Sequence, residues 1–293
     1  MKLKEKITEL NNDKTIKEIL KTNFNISNRL IIKLKKYNQI FCNDIPCYVN
    51  KIVKKDDIVS IEINFSEEEN DNIIPIPKDI AILYEDESLI ILNKPANMPT
   101  HPSNLHYSDT ISNYLKYYFN SKNIFIPIRP INRLDKDTSG IIIFAKNSFI
   151  QESLIKQMKN NTFKKEYICI VNGILKRKNG TIDLPIARKD NSIIERCVNT
   201  NGKKAITHYT VLQEFENYSL VNVVLETGRT HQIRVHFSYL HHPLIGDDIY
   251  GDKSNLLKRQ ALHCSKISFI HPITKKEIKI NCDIPDDIKS ILK

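Results

Sequence analysis

The sequence predicts an α+β protein: a large unit on a mixed, largely antiparallel sheet, preceded by a small α+β unit. Two short helical patterns and a run of alternating strand patterns fill residues 1–65. The stretch SEEENDN at 66–72 is acidic, polar and without periodicity, which marks a linker, placed at 66–74. From Ile73 onward the texture changes to strands, turns and a few helices with no internal repeat, giving a second unit at 75–293. A chain of 293 residues has room for one large domain and one small one.

In the small unit, Thr15-Ile16-Lys17-Glu18 reads as a capping box, with Ile16, Ile19 and Leu20 at helical spacing behind it. Ser27 caps a second helix whose apolar stripe is Leu30, Ile31 and Leu34. Arg29, Lys33 and Lys36 fall at i, i+4 and i+7, so they share one face. The stretch QIFCNDIPCYVNKIVKKDDIVSIEI then reads as a hairpin turning at Asn43-Asp44, with Val59, Ile61 and Ile63 alternating.

In the large unit, AILYEDESLIILNKP gives two strands around an acidic turn. Ser108 or Asp109 caps a helix running through Tyr114 and Leu115. Ile141–Ala145 reads as a buried strand, residues 148–159 as a helix, and EYICIVNG and YSLVNVVLETG as further strands.

Composition narrows the partners. Lys and Arg total 44 against 34 Asp and Glu, a net charge of +10, and 41% of residues are apolar. Residues 1–60 alone hold thirteen Lys/Arg against seven Asp/Glu. Such an excess favours a polyanion, nucleic acid first and an acidic membrane surface second. No signal-peptide core or membrane-length apolar run is present. The six cysteines form no CxxC pair, which speaks for a reduced, cytosolic protein rather than disulfides or zinc. The basic helical face suits a phosphate backbone, although a solvated face is an equally good account of that feature alone.

Two polar stretches carry chemistry. INRLDKDTSG (131–140) sets Asp135 behind Arg133-Leu134 in a tight turn before the buried strand. LETGRTHQIRVHFSYLHHPLIGDDIYG (225–251) gathers Arg229, Thr230, His231, Gln232 and Arg234 after a strand. Neither a GxxxxGK[ST] loop nor GxGxxG occurs, so nucleotide-driven chemistry has no footing. The histidines of the second stretch lack the cysteines or carboxylates of a zinc set. Asp135 and Asp137 are too close in sequence to serve as a facing glycosidase pair. Taken alone, RLD is most often a structural ion pair.

Taken together, these segments resemble a known family. INRLDKDTSGIIIFAKN is similar to the aspartate motif of the RluA-type pseudouridine synthases, usually written HRLDxxTSG. KKEYICIVNG resembles the family's tyrosine motif and TGRTHQIRVHFSYLHHPLIGDDIYG its arginine motif. YEDESLIILNKPANMPTHPS, DLPIARKDNSIIERCVNTNGKKAITHYTVL and QALHCSKISFIHPITKKEIKI resemble its entry, connecting and closing segments, so the likeness runs in order from about residue 80 to the C-terminus. The first 65 residues resemble the RNA-binding module known from a ribosomal protein, here called S-four-like, with Asp56 where that module usually has glycine.

The resemblance implies an enzyme that isomerises uridine within structured RNA, large-subunit ribosomal RNA or pre-ribosomal particles first, with no cofactor and no metal. Asp135 is then the catalytic aspartate, Arg234 the arginine paired with it, and Tyr167 the tyrosine that stacks on the target base. Arg133 would contact the flipped nucleotide, with Asn132 standing where histidine is usual. Arg229, Thr230, His231 and Gln232 would bind substrate, and Arg29, Lys33 and Lys36 would bind RNA through the small module. A monomer is expected. Two alternatives stand beside this reading: a non-catalytic RNA-binding or ribosome-assembly protein on the same fold, and the same reaction on transfer RNA.

Overall fold

The computed structural model describes residues 1–63 and 72–292. Most of the expected linker, 66–71, lies outside them. By Ile73 the chain is attached to the large unit: Ile73 is buried and the Ile74 carbonyl accepts from the Asn113 side chain.

The small unit is a four-stranded antiparallel sheet with two helices. Thr15 caps the helix Ile16–Thr22 through the reciprocal Thr15–Glu18 box, and Ser27 caps Asn28–Lys36 by accepting from the Leu30 amide. Asn43 and Asp44 both take positive φ, +53° and +59°, between the strands Ile40–Cys42 and Ile45–Pro46; that backbone suits a tight two-residue hairpin. Asp56, in the place of the usual glycine, takes φ +71°, so the turn keeps its left-handed residue without glycine. The first strand, Lys2–Lys6, is not evident in the sequence. Its lysines alternate outward along the sheet edge, where Lys2 meets Asp44 and Glu62, and Lys6 meets Asp56.

The large unit is a ten-stranded sheet, antiparallel except for one short parallel contact. That contact positions the site. The strand Leu262–Ile270 lies between Ser139–Ala145, with which it runs parallel, and Lys164–Asn172, with which it runs antiparallel. Cys264 pairs with Gly140 on one side and Tyr167 on the other, so the turn preceding Gly140 is carried over Tyr167. Gly140 has φ +111°, and a Cβ there would fall 2.3 Å from the Cys264 carbonyl oxygen; only glycine admits this approach. The helix expected to start at Ser108 or Asp109 instead spans Ile111–Ser121. Thr110 is its cap, forming a reciprocal box with Asn113 that the earlier residues could not close.

The two units share an apolar core, and the Lys156 ammonium of helix Ser148–Lys159 hydrogen-bonds Asn25 of the small unit. No helix among the described residues is long and apolar enough to cross a membrane.

Candidate active site

The turn Leu134–Thr138 is held by its backbone. Thr100 Oγ1 donates to the Leu134 carbonyl at 3.0 Å, and Arg259 donates to the Asp137 carbonyl at 3.1 Å. Beneath it lies Lys94, fully buried, donating to the carbonyls of Pro95 (2.8 Å), Met98 (2.7 Å) and Lys136 (2.9 Å). Burial pulls its ammonium down to about 7, against the pull of Asp137 and Asp135. Three acceptors match the three N–H groups of the charged form, which favours the ammonium.

Asp135 projects from this turn with its side chain 30% exposed. Its Oδ2 accepts from Arg234 Nη1 at 3.3 Å and lies 3.8 Å from His231 Nε2. No hydrogen bond from the described residues reaches Oδ1. Arg234 is delivered by the helix Gln232–Tyr239, and its remaining edge grips Asp247, Nε to Oδ2 at 2.6 Å and Nη2 to Oδ1 at 2.8 Å. Burial works against the guanidinium's charge, but the Asp247 hydrogen bonds and charge, with Asp135 behind them, raise its pKa.

His231 occupies the left-handed region at φ +57°, an unusual backbone for a histidine, costing on the order of 1 kcal/mol. There its Nδ1 lies 2.8 Å from the Tyr250 hydroxyl, which also accepts from the Arg196 amide. Burial holds its imidazole below the usual pKa despite Asp135, and Arg234 adds to the depression.

Tyr167, Leu134, Leu225, Ile233 and Leu262 form the apolar walls of the cleft, and Arg133 and Arg229 are exposed at its rim. Burial raises the Tyr167 phenol well above its usual pKa, with Cys264 adding to the shift. It is a neutral aromatic surface rather than a ready base.

Of the anticipated residues, Asp135, Tyr167, Arg234, Arg133, Arg229, His231 and Gln232 line one cleft. Gln232 is buried and braces the loop, accepting from Thr227 Oγ1 and the Arg229 amide. Thr230 is exposed and off the cleft. Asn132 is buried away from it: its amide donates to the Ile141 carbonyl and accepts from the Ile143 amide, tying the turn to the strand it precedes. Arg29, Lys33 and Lys36 lie on the small unit's second helix, outside the cleft. Lys94, Asp247 and Tyr250 stand within the motif segments, yet nothing in their local sequence shows that they turn inward.

A carboxylate with one oxygen engaged and one open, beside an aromatic wall under a cationic rim, suits a planar base joined to a phosphodiester. A family model described as RNA pseudouridylate synthase matches residues 88–239. The chain is 39% identical over 289 residues to the uncharacterized RNA pseudouridine synthase YhcT of Bacillus subtilis, covering 98% of this chain and 95% of that one. It is 36% identical over 240 residues to ribosomal large subunit pseudouridine synthase D of Blochmanniella floridana, covering 76% of this chain and 75% of that one.

The chain belongs to the RluA/RluD-type RNA pseudouridine synthases. Among solved structures, this synthase is similar to human RNA pseudouridylate synthase domain containing 1, with TM-score 0.58 and 26% identity over 70% of this chain and 83% of that one. Human RNA pseudouridylate synthase domain containing 4 shares the fold, with TM-score 0.59 and 24% identity over 72% and 91%.

Proposed function

We propose that the synthase converts uridines of large-subunit ribosomal RNA to pseudouridine in the cytoplasm, with Asp135 as its catalytic carboxylate. The observation that carries the role of Asp135 is its open Oδ1 in a cleft walled by Tyr167, while Arg234 engages Oδ2. The ribosomal substrate is supported by relatives named for the large ribosomal subunit. A base lifted from its stack needs an aromatic surface, and Tyr167 supplies one. Arg133, which has no hydrogen bond or ion pair among the described residues, is available to the RNA backbone. Residues 1–65, with the basic face Arg29, Lys33 and Lys36, act as an RNA-binding module that adds backbone contacts suited to a large folded target.

The reaction moves the glycosidic bond from nitrogen 1 to carbon 5 of uracil, and the hydrogen on carbon 5 leaves. Transcripts of ribosomal and transfer RNA labelled with tritium at that carbon test the proposal directly. Label is expected to escape to water with large-subunit transcripts and not with Asp135→Ala, whose RNA affinity stays near that of the parent. Release by Asp135→Ala at the parent rate would remove the aspartate from its role. Release from transfer RNA alone would correct the substrate.

A further inference from the structure

Arg234 has a planar fork whose preferred partner is a carboxylate gripped by two parallel hydrogen bonds. In this cleft the two-pronged edge, Nε and Nη2, is not directed at Asp135. It closes on Asp247, leaving Asp135 a single 3.3 Å contact from Nη1. A guanidinium free to choose would close its fork on Asp135 and engage both oxygens, including the one the reaction needs open.

Asp247 is itself fixed from several sides. It is fully buried, and its Oδ1 accepts from the backbone amides of Ile249 and Tyr250, each at 3.1 Å. Gly246 before it takes φ +72°, in a gap where a Cβ would lie 2.2 Å from the Arg259 carbonyl oxygen. The Tyr250 ring covers the guanidinium, 5.1 Å from its Cζ, and blocks its swing. A carboxylate held this firmly can dictate where the arginine points, whereas the partly exposed Asp135 cannot.

We propose that Asp247 is a positioning residue of the synthase: by occupying the forked edge of Arg234 it leaves Asp135 one hydrogen bond and one open oxygen. The inference rests on the reading of Asp135 as the catalytic carboxylate. Asp247 touches no substrate in this account and acts through Arg234 alone.

A double-mutant cycle tests it, with Asp247→Asn, Arg234→Met and the two together, read as single-turnover isomerisation rate and RNA dissociation constant. Asp247→Asn is expected to slow the reaction at least tenfold while RNA affinity changes less than about twofold. The double variant is expected to be no slower than Arg234→Met, because Asp247 has nothing left to position. A rate for Asp247→Asn within about threefold of the parent overturns the proposal, as does a double variant slower by the product of the two losses. If Asp247→Asn alone fails to fold, Asp247→Glu, which keeps the charge of the buried pair but moves the carboxylate by one methylene, is read against the same rate thresholds. Activity retained in Asp135→Ala would instead strike the reading of the aspartate. A dead Asp135→Ala beside a multiplicative cycle strikes this inference alone.

Discussion

Gly140 shows how much one residue carries. Its backbone meets that of Cys264 at a distance that excludes a side chain, and Cys264 in turn pairs with Tyr167. Gly140→Ala is therefore expected to destabilise the protein by about 3 kcal/mol, combining overlap with backbone strain. In thermal unfolding its midpoint should fall by about 5 °C; an unchanged midpoint would mean that the two strands separate at little cost. At this scale the sequence is readable where a residue type has few uses. Asp135, Tyr167 and Arg234 stand in motifs and meet in space. Asp247 is not readable, because it is followed by Asp248 and nothing local says which turns inward. Burial chooses: Asp247 is inaccessible and Asp248 exposed. Asn132 fails to line the cleft for a similar reason. Two backbone groups of the strand that follows, 9 and 11 residues further along the chain, claim its amide first.

At the scale of elements, the second helix of the small unit makes the clearest prediction. Arg29, Lys33 and Lys36 lie on one side of Asn28–Lys36 while Leu30, Ile31 and Leu34 are buried. Burial lowers the Lys33 ammonium, and the nearby Arg129 and Arg29 charges lower it further, so a polyanion laid across them relieves mutual repulsion. Replacing all three by glutamine should reduce the slope of log affinity against log salt by about 0.7–0.9 for each phosphate that is no longer neutralised. Filter binding across a salt series measures it; a slope equal to that of the parent would reduce the face to a solvated surface. Helices are legible because capping chemistry is local: Thr15, Ser27 and Asn147 all cap where a short polar side chain precedes an apolar period. The strand Lys2–Lys6 is not, because an edge strand covered with lysine lacks the apolar alternation that announces a strand.

For the whole molecule, three histidines set a response to acid. Burial lowers the imidazoles of His231, His236 and His263 below their usual pKa. Each binds its proton more readily when unfolded, so this contribution to stability is present above about pH 6.5 and is lost as pH falls below it. Each proton taken up on unfolding tilts stability by about 1.4 kcal/mol per pH unit. The urea midpoint is thus expected to drop between pH 7.5 and 5.5, and His236→Gln, which keeps a polar group near Thr207 and the Leu184 carbonyl, should flatten the drop. A midpoint independent of pH over that range would show that these rings accept protons in place.

The central place of the strand Leu262–Ile270 also governs how the protein can be made. It follows both of its sheet neighbours in the chain and is therefore made after them, yet it joins the two. Until it arrives, Ser139–Ala145 and Lys164–Asn172 each present a bare apolar edge, and Asp135 and Tyr167 have no fixed relation. Activity therefore waits for this strand, and the nascent chain passes through an interval in which its open edges invite pairing with other chains. Truncation just before Leu262 should yield aggregating material rather than a partly active enzyme.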